Sequence, residues 1–399
     1  AVEMADQAAE KAGLSSMACC YGVGNHGGGP TVENVRAILR LREEKPELSM
    51  PFGSFREFFD SLTEAEKGGL PVRREFFDGV NTGCYSMDSR LKRANRRTEG
   101  RLLAADCMAS MASLFSGKPV KAARKDAMKR LWKTLLFNQF HDTLGGTTIK
   151  PARDEAIAQM SGAGAEAKKL WVACMQEIMG GLDTRGEGFP LFVFNPAGAD
   201  YDGPVAAELD WFCQDGLILR DPQGKEIPYQ RVHTMAKVRN YNLGGRRGIV
   251  FDAHVPALGF AVYRTLIGES GLCSDSRDSG GAKLKAAVME NESLRAAFDE
   301  TGALCSLYDK KNGYEALSGP VTFPLWADER DCWGGDQGRP FEPRNEKLEP
   351  ESLELVEQGS LRQVVRAVYR LGGSVLRQDF ILYHNTDYVE VLNRLFWDR

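Results

Sequence analysis

The side chains best suited to chemistry in this 399-residue chain crowd into one stretch, "NQFHDTLGGTTI", Asn138 to Ile149. Asn138, Gln139, His141 and Asp142 put four polar side chains within five residues, after the helical run "RKDAMKRLWKTLLF" and before a glycine pair. A surface turn rarely needs that set, whereas a pocket does. His141 has two readings. A cationic histidine at the end of a helix is favoured by the dipole and would be a structural cap. The other reading is a metal ligand. The local sequence leaves both open.

The other histidines are His26, His233, His254 and His384, and no two of the five sit at metal-ligand spacing. There is no His-x-Asp, no HExxH and no GxSxG, so the chain carries neither a complete metal site nor a complete triad in a recognisable pattern. A second candidate is "YGVGNHGGGPT", Tyr21 to Thr31. It is too glycine-rich for the interior of a helix or strand and fits neither phosphate-loop pattern. It reads as a loop whose backbone approaches a ligand and presents Asn25 and His26, or as a tight structural turn. A third, "NTGCYSMDSRLKRANRR" from Asn81 to Arg97, would by itself be an ordinary loop and helix start, with Arg90 and Lys92 on a bundle surface. In "ADERDCWGGD", Trp333 with Asp328, Asp331 and Asp336 suits a sugar face, but a packed tryptophan among solvated carboxylates is the preferred reading.

The elements that must position these residues fall into three regions. Residues 1–82 alternate helix-like "TVENVRAILRLREE" and "FREFFDSLTEAE" with strand-like "LSMPFGS", the pattern of the C-terminal part of an α/β domain. Residues 83–183 predict a three-helix bundle, with Asp88 near the first cap, Gly117 after that helix, and Gly162 and Gly164 costing the third some propensity. Residues 184–399 carry strand-like runs such as "FPLFVFNP", "GIVFDAHVP" and "DYVEVLNRLFW", punctuated by "DPQG", "PALG" and "KKNG", and predict a large β-sandwich. The fold class is therefore multidomain α+β.

Bulk properties narrow the function. At 43% hydrophobic and 27% charged, with net charge −4, the chain is an ordinary globular protein. The basic run "RLKRANRR" has no aromatic stacking set and reads as a solvated helix face, so no nucleic-acid partner is expected. No apolar run reaches the ~18 residues of a membrane span. Nine scattered cysteines without a CxxC pair suggest reduced thiols and a cytoplasmic location. The chain starts inside a helical pattern, at "AVEMADQAAEKAG", and stops just after a strand-like stretch, so both ends read as cut. Oligomeric state stays open, a homo-oligomer included.

Taken together and in order, these stretches resemble glycoside hydrolase family 38, the retaining α-mannosidases. "NQFHDTLGGTTI" is similar to that family's N-Q-F-H-D-x-L-x-G-[ST]-[ST]-I motif, "YGVGNHGGGPT" to a glycine-rich active-site loop, and "GCYSMDSRLKRANRRTE" to the segment that opens the family's helical bundle. "FVFNPAG", "AHVPALGFAVYR", "LRAAFDETGALCSLYDKKNG" and "ERDCWGGD" look like landmarks of its β region. The resemblance covers essentially the whole chain. It implies the end of an α/β barrel-like catalytic domain, a three-helix middle domain and a truncated β-sandwich.

It also implies a catalytic Zn²⁺, with His141 as the ligand from the bundle, Asp142 touching a mannose-containing oligosaccharide, and Asn25 and Tyr85 as further substrate contacts. The ion would hold sugar hydroxyls while two carboxyl groups about 5–5.5 Å apart carry out retention. The chain departs from the pattern in several places. The family's His-x-Asp pair and nucleophile are absent, and His384 in "HNTD" does not replace them. Asn25-His26 stands where relatives often carry an aspartate, leaving His26 as the candidate acid/base. Gly79, Val80 and Asn81 occupy a stretch where many relatives have a histidine, and Gly145 replaces a common proline. The expectation is a piece of an α-mannosidase that is inactive alone. The alternative is a non-catalytic carbohydrate-binding or structural module.

Overall fold

The structure, a computed structural model, describes residues 2–24, 28–72, 83–209, 216–232, 247–276, 278–327 and 342–398. The chain divides into two compact units, Ala1–Asp78 and Gly79–Arg399.

The described part of the first unit is helical: α1 (Val2–Ala12), α2 (Val32–Glu44), α3 (Phe55–Ser61) and α4 (Glu64–Gly69). Three of these helices begin at capping boxes, Thr31 with Asn34, Ser54 with Glu57 and Thr63 with Glu66. In each, the hydroxyl accepts the N3 amide while the N3 side chain accepts the cap amide, satisfying two orphan donors. Thr63 explains why "FREFFDSLTEAE" is two helices and not one. Leu62 turns extended, and the second box starts α4 afresh. The strand expected at "LSMPFGS" does not form. Pro51 has no N–H to give a ladder, and Ser54 is committed to capping α3. No strand of two or more residues occurs among the described residues of this unit, so they give no support to the barrel-like α/β reading.

The second unit opens with helices α5 (Gly83–Ser86), α6 (Ser89–Ser116), α7 (Ala122–Asn138), α8 (His141–Leu144) and α9 (Lys150–Gly180). The three long ones bury Leu91, Leu102, Met128, Leu131, Leu135 and Met160 against one another. Gly164 is there for contact. A Cβ at this position would lie 2.7 Å from Thr98 Oγ1 on α6, and that hydroxyl donates to the Met160 carbonyl of α9 at 2.8 Å. At the other end of the bundle Met108, Ala112, Cys174 and Ile178 pack with Phe194 and Phe260 of the first sheet.

The strands follow in chain order: β1 (Phe189–Asn195), β2 (Tyr201–Leu209), β3 (Ile218–Arg220), β4 (Tyr229–Val232), β5 (Arg247–Val255), β6 (Gly259–Leu266) and β7 (Cys273–Asp275). Then come β8 (Ala287–Glu290), β9 (Leu294–Phe298), β10 (Leu304–Asp309), β11 (Tyr314–Glu315), β12 (Trp326–Ala327) and β13 (Glu342–Pro343). The last are β14 (Glu349–Gln358), β15 (Arg362–Leu371), β16 (Ser374–Tyr383) and β17 (Glu390–Phe396).

Where the sequence predicts one large sandwich, the strands build two cores. Sheets ordered β1-β6-β3 and β2-β5-β4-β7 enclose Leu219, Tyr229, Phe251 and Tyr263. Sheets ordered β11-β10-β9-β8 and β14-β15-β16-β17 enclose Met289, Phe298, Val365 and Phe380. Gln230 of β4 ties the two together. Its side chain is fully buried, donates to Ser276 Oγ (2.9 Å) and the Arg362 carbonyl (3.0 Å), and accepts from the Leu361 (2.9 Å) and Arg362 (2.7 Å) amides. His384, set aside above as a metal ligand, lies 2.6 Å from Asp252 across the same junction. No helix among the described residues is long and apolar enough to cross a membrane.

Candidate functional site

The "NQFHD" turn divides its polar side chains by direction. α7 ends at Asn138, and α8 restarts at His141. Asn138 is buried, its Nδ2 donating to the Thr134 carbonyl (2.8 Å) and to Gln159 Oε1 on α9 (2.9 Å). Gln139 Nε2 donates to Asn95 Oδ1 on α6 at 2.9 Å. These two are tethers. The pair that points outward is His141 and Asp142, with side chains 69% and 51% exposed and Nε2 to Oδ1 at 3.3 Å. The Phe140 ring packs beside the imidazole, centroids 4.3 Å apart.

The helix-cap reading of His141 does not hold. The C-cap of α7 is Gln139, through its backbone amide, and His141 opens the next helix, the end where a positive charge is disfavoured.

Lys92 is a second correction. It is not an ordinary surface lysine: it is half-buried, and its Nζ donates to the Leu144 carbonyl at 2.7 Å. Burial lowers its pKa against the opposing pull of Cys84 and Asp88. Arg90 does stay exposed, paired with Asp88 at 3.0 Å.

Glycines let the third candidate stretch close on the first. Gly146 has φ +80°, and a Cβ there would meet Met87 Cγ at 2.7 Å. A Cβ on Gly145 would meet the His141 carbonyl at 2.7 Å and Cys84 at 3.8 Å. The α5 segment, carrying Tyr85, is thus seated on the His141 turn, with the Tyr85 ring itself 69% exposed. Below it, Asp88 accepts the Arg90 (3.1 Å) and Leu91 (3.4 Å) amides as the cap of α6 and pairs with Arg153 of α9 at 3.0 Å. Burial pushes the Asp88 carboxyl upward, but Arg90, the Leu91 amide and Arg153 outweigh it and hold the pKa below the usual aspartate value. Arg153 and Gln159 were not singled out in the sequence, because their partners lie on other helices.

Beside the turn an open groove of about 370 Å³ runs along Leu136, Phe137, Gln139, Phe140 and Thr143. Among the described residues no three histidine, cysteine, aspartate or glutamate side chains gather closely enough to hold a metal ion. His141 and Asp142 offer donors zinc accepts, imidazole nitrogen and carboxylate oxygen, but complete no site among these residues.

Asn25 and His26 lie outside the described residues, as do Gly79, Val80, Asn81, Asp328, Asp331, Trp333 and Asp336. The flanks of the glycine-rich loop pair across Gly24 and Gly28, with the Val23 amide donating to the Gly29 carbonyl at 3.3 Å. Gly22 (φ +127°) and Gly24 (φ +67°) adopt backbone that other residues resist.

Comparison with known proteins centres on this helical region and the second sandwich. The family model for the α-mannosidase middle domain matches residues 80–178, and that for the glycosyl hydrolases family 38 C-terminal domain matches residues 289–399. The chain is 24% identical over 317 residues to α-mannosidase 2C1 of Homo sapiens, covering 77% of this chain and 26% of that protein. It is 25% identical over 293 residues to the lysosomal α-mannosidase of Cavia porcellus, covering 66% and 27%. Among solved structures it is similar to an α-mannosidase from Enterococcus faecalis V583, with TM-score 0.59, 15% identity and coverage of 90% of this chain and 48% of that one. A family 38 glycosyl hydrolase from Enterococcus faecalis gives TM-score 0.61 at 16% identity, covering 92% and 49%. The chain thus spans about a quarter of these curated relatives' length and about half of these solved chains.

Proposed function

Because this chain belongs to glycoside hydrolase family 38, with an α-mannosidase middle domain and the family's C-terminal domain, we propose that it is part of a zinc-dependent retaining α-mannosidase acting on mannose-containing oligosaccharides. The observation that carries the proposal is the His141 turn. Asn138, Gln139 and Lys92 fix its backbone from behind, and that leaves His141 and Asp142 pointing out together. A turn braced from three helices can present an imidazole with little loss of side-chain freedom on binding, as a metal-side ligand requires. Zinc, when bound, would supply a Lewis acid that grips sugar hydroxyls. Asp142 would accept a hydrogen bond from a sugar hydroxyl beside it. Tyr85 on the seated α5 segment is a further proposed substrate contact, and the family resemblance carries Asn25 as another and His26 as the acid/base.

The regions of this proposal are residues 1–82, 83–183 and 184–399, the last holding both sandwiches. Cys19, Cys20, Cys107, Cys174, Cys273 and Cys305 are free thiols among the described residues, in keeping with the reducing, cytoplasmic setting proposed here. By itself the chain is expected to be inactive, because His141 and Asp142 complete no metal site among the described residues and the sequence lacks the family's His-x-Asp pair.

The test uses the protein expressed from its complete reading frame. Hydrolysis of p-nitrophenyl α-D-mannopyranoside and bound zinc should both fall in His141→Ala. Activity and zinc content unchanged by that substitution would overturn the proposal. Mannoside binding that survives chelation, with no hydrolysis in any form of the protein, would favour the binding-module reading.

A further inference from the structure

A second cleft, remote in sequence from His141, lies on the first sheet. Strand alternation puts Phe192, Val262, Arg264 and Arg220 on the face of β1-β6-β3 opposite the core, with Phe192 across from Val262 and Arg220 across from Arg264. One end of this face is covered where Phe194 and Phe260 meet the bundle. The other end is open. There the segment after α9 and the turn after β3 rise as walls around a cavity of about 330 Å³.

The chemistry of the lining is specific. Arg264 is clamped by backbone carbonyls: Nη2 donates to Thr184 (3.2 Å) and Arg185 (3.0 Å), and Nη1 to Glu187 (3.3 Å). Asp221 Oδ1 accepts the Gln223 and Lys225 amides at 2.9 Å each, which fixes that carboxylate. Glu187 pairs with Arg220 at 3.0 Å and Asp183 with Arg185 at 2.6 Å. The lining carboxylates Asp183, Glu187 and Asp221 are thus matched in number by Arg220 and Arg264 of the lining together with Arg185, which pairs with Asp183 but is not part of the lining itself. The cleft has no surplus positive charge to select a phosphate and no surplus negative charge to select an amine. It has fixed donors, fixed acceptors and an aromatic floor, at the small end of the ~300–1,000 Å³ range of ligand sites.

We propose that this cleft is a binding subsite for a neutral pyranose, whose C–H face lies on Phe192 while neighbouring hydroxyls are shared between Asp183, Glu187 and Arg220. A hydroxyl both donates and accepts, so paired carboxylates and guanidiniums satisfy it without net charge. That the pyranose is a mannose rests on the function proposed above. The neutral-polyol assignment does not.

The experiment is a saturation-transfer NMR titration of the whole chain with methyl α-D-mannopyranoside, methyl α-D-glucopyranoside and inorganic phosphate. Glu187→Gln and Phe192→Leu are tested separately, each checked for an unchanged melting curve. Saturable mannoside binding is expected, weakened about tenfold by Glu187→Gln, the loss of one charge-assisted hydrogen bond, and unaffected by His141→Ala. Binding that ignores both cleft variants, or that His141→Ala abolishes, overturns the assignment. So does saturation by phosphate in competition with the sugar, or no saturable sugar binding. Equal binding of glucoside and mannoside, lost in both cleft variants, keeps the cleft and counts against the mannose reading alone.

Discussion

At the scale of single residues, the His141 turn separates side chains that hold from side chains that present. His141→Ala removes a side chain 69% exposed, paired with its neighbour Asp142 at 3.3 Å and packed beside the Phe140 ring. Its effect on the denaturation midpoint should stay within about 0.5 kcal/mol, as for surface positions. Asn138→Ala, which strips a buried amide from two partners, should cost about 1–3 kcal/mol. Equal losses from the two would mean His141 is structural after all.

Asp88 gives the pH dependence. Its carboxyl titrates lower in the folded protein than the ordinary 3.8. Its contribution is therefore complete above that value and is lost as the pH falls through the depressed folded one. Denaturant midpoints of the wild type should decline on acidification below the ordinary value, and those of Asp88→Asn should decline less. Asp88→Ala should cost about 2 kcal/mol at neutral pH, about 1 for the cap and about 1 for the stranded Arg153.

At the scale of elements, the bundle was legible and its tethers were not. Long helices with apolar positions at helical spacing announce α6 and α9 in the one-dimensional pattern, and Asp88 and Gly117 mark the two ends of α6. Gln139 and Lys92 announce nothing, because their partners lie 44 and 52 residues away and emerge only when helices pack. The same limit hid the break between α3 and α4, where the capping box at Thr63 outweighs a run that reads as continuous. It also hid the division of the strands into two cores, since alternation fixes which face of a strand is apolar but not which sheet covers it. Asn25 and His26, two of the five site residues expected from the sequence, fall outside the described residues. Gly146 ties element to site. At φ +80°, with Met87 where a Cβ would go, Gly146→Ala should cost about 1–3 kcal/mol in chemical denaturation. Because the seat between α5 and α8 would have to open, Tyr85 should become more accessible to iodination in that variant. A stable protein with unchanged Tyr85 reactivity would count against this coupling.

At the scale of the whole molecule, Gln230 joins the two sandwiches of the second unit through three hydrogen bonds to the Leu361 and Arg362 backbone. Gln230→Leu would leave the Leu361 and Arg362 amides without their acceptor, at a cost of about 1–3 kcal/mol each. Calorimetry of that variant should show the two sandwiches melting as separate transitions where the wild type melts them together. A single transition at an unchanged temperature would show that the amide is not what couples them. Gly359 belongs to the same joint, since a Cβ on it would fall 2.2 Å from Gln230 Cδ.

The joint also has a place in time. Gln230 waits for partners made 132 residues later. At a synthesis rate of about 5–20 residues per second, that is roughly 7 to 26 s on the ribosome. Through that interval the amide is solvated, while β5, β6 and β7, made early in it, complete the other pairings of its own sandwich. The first sandwich is therefore completed by a piece of the second, and its exposure to proteases and to misassociation during synthesis is set by the speed of translation through residues 231–362.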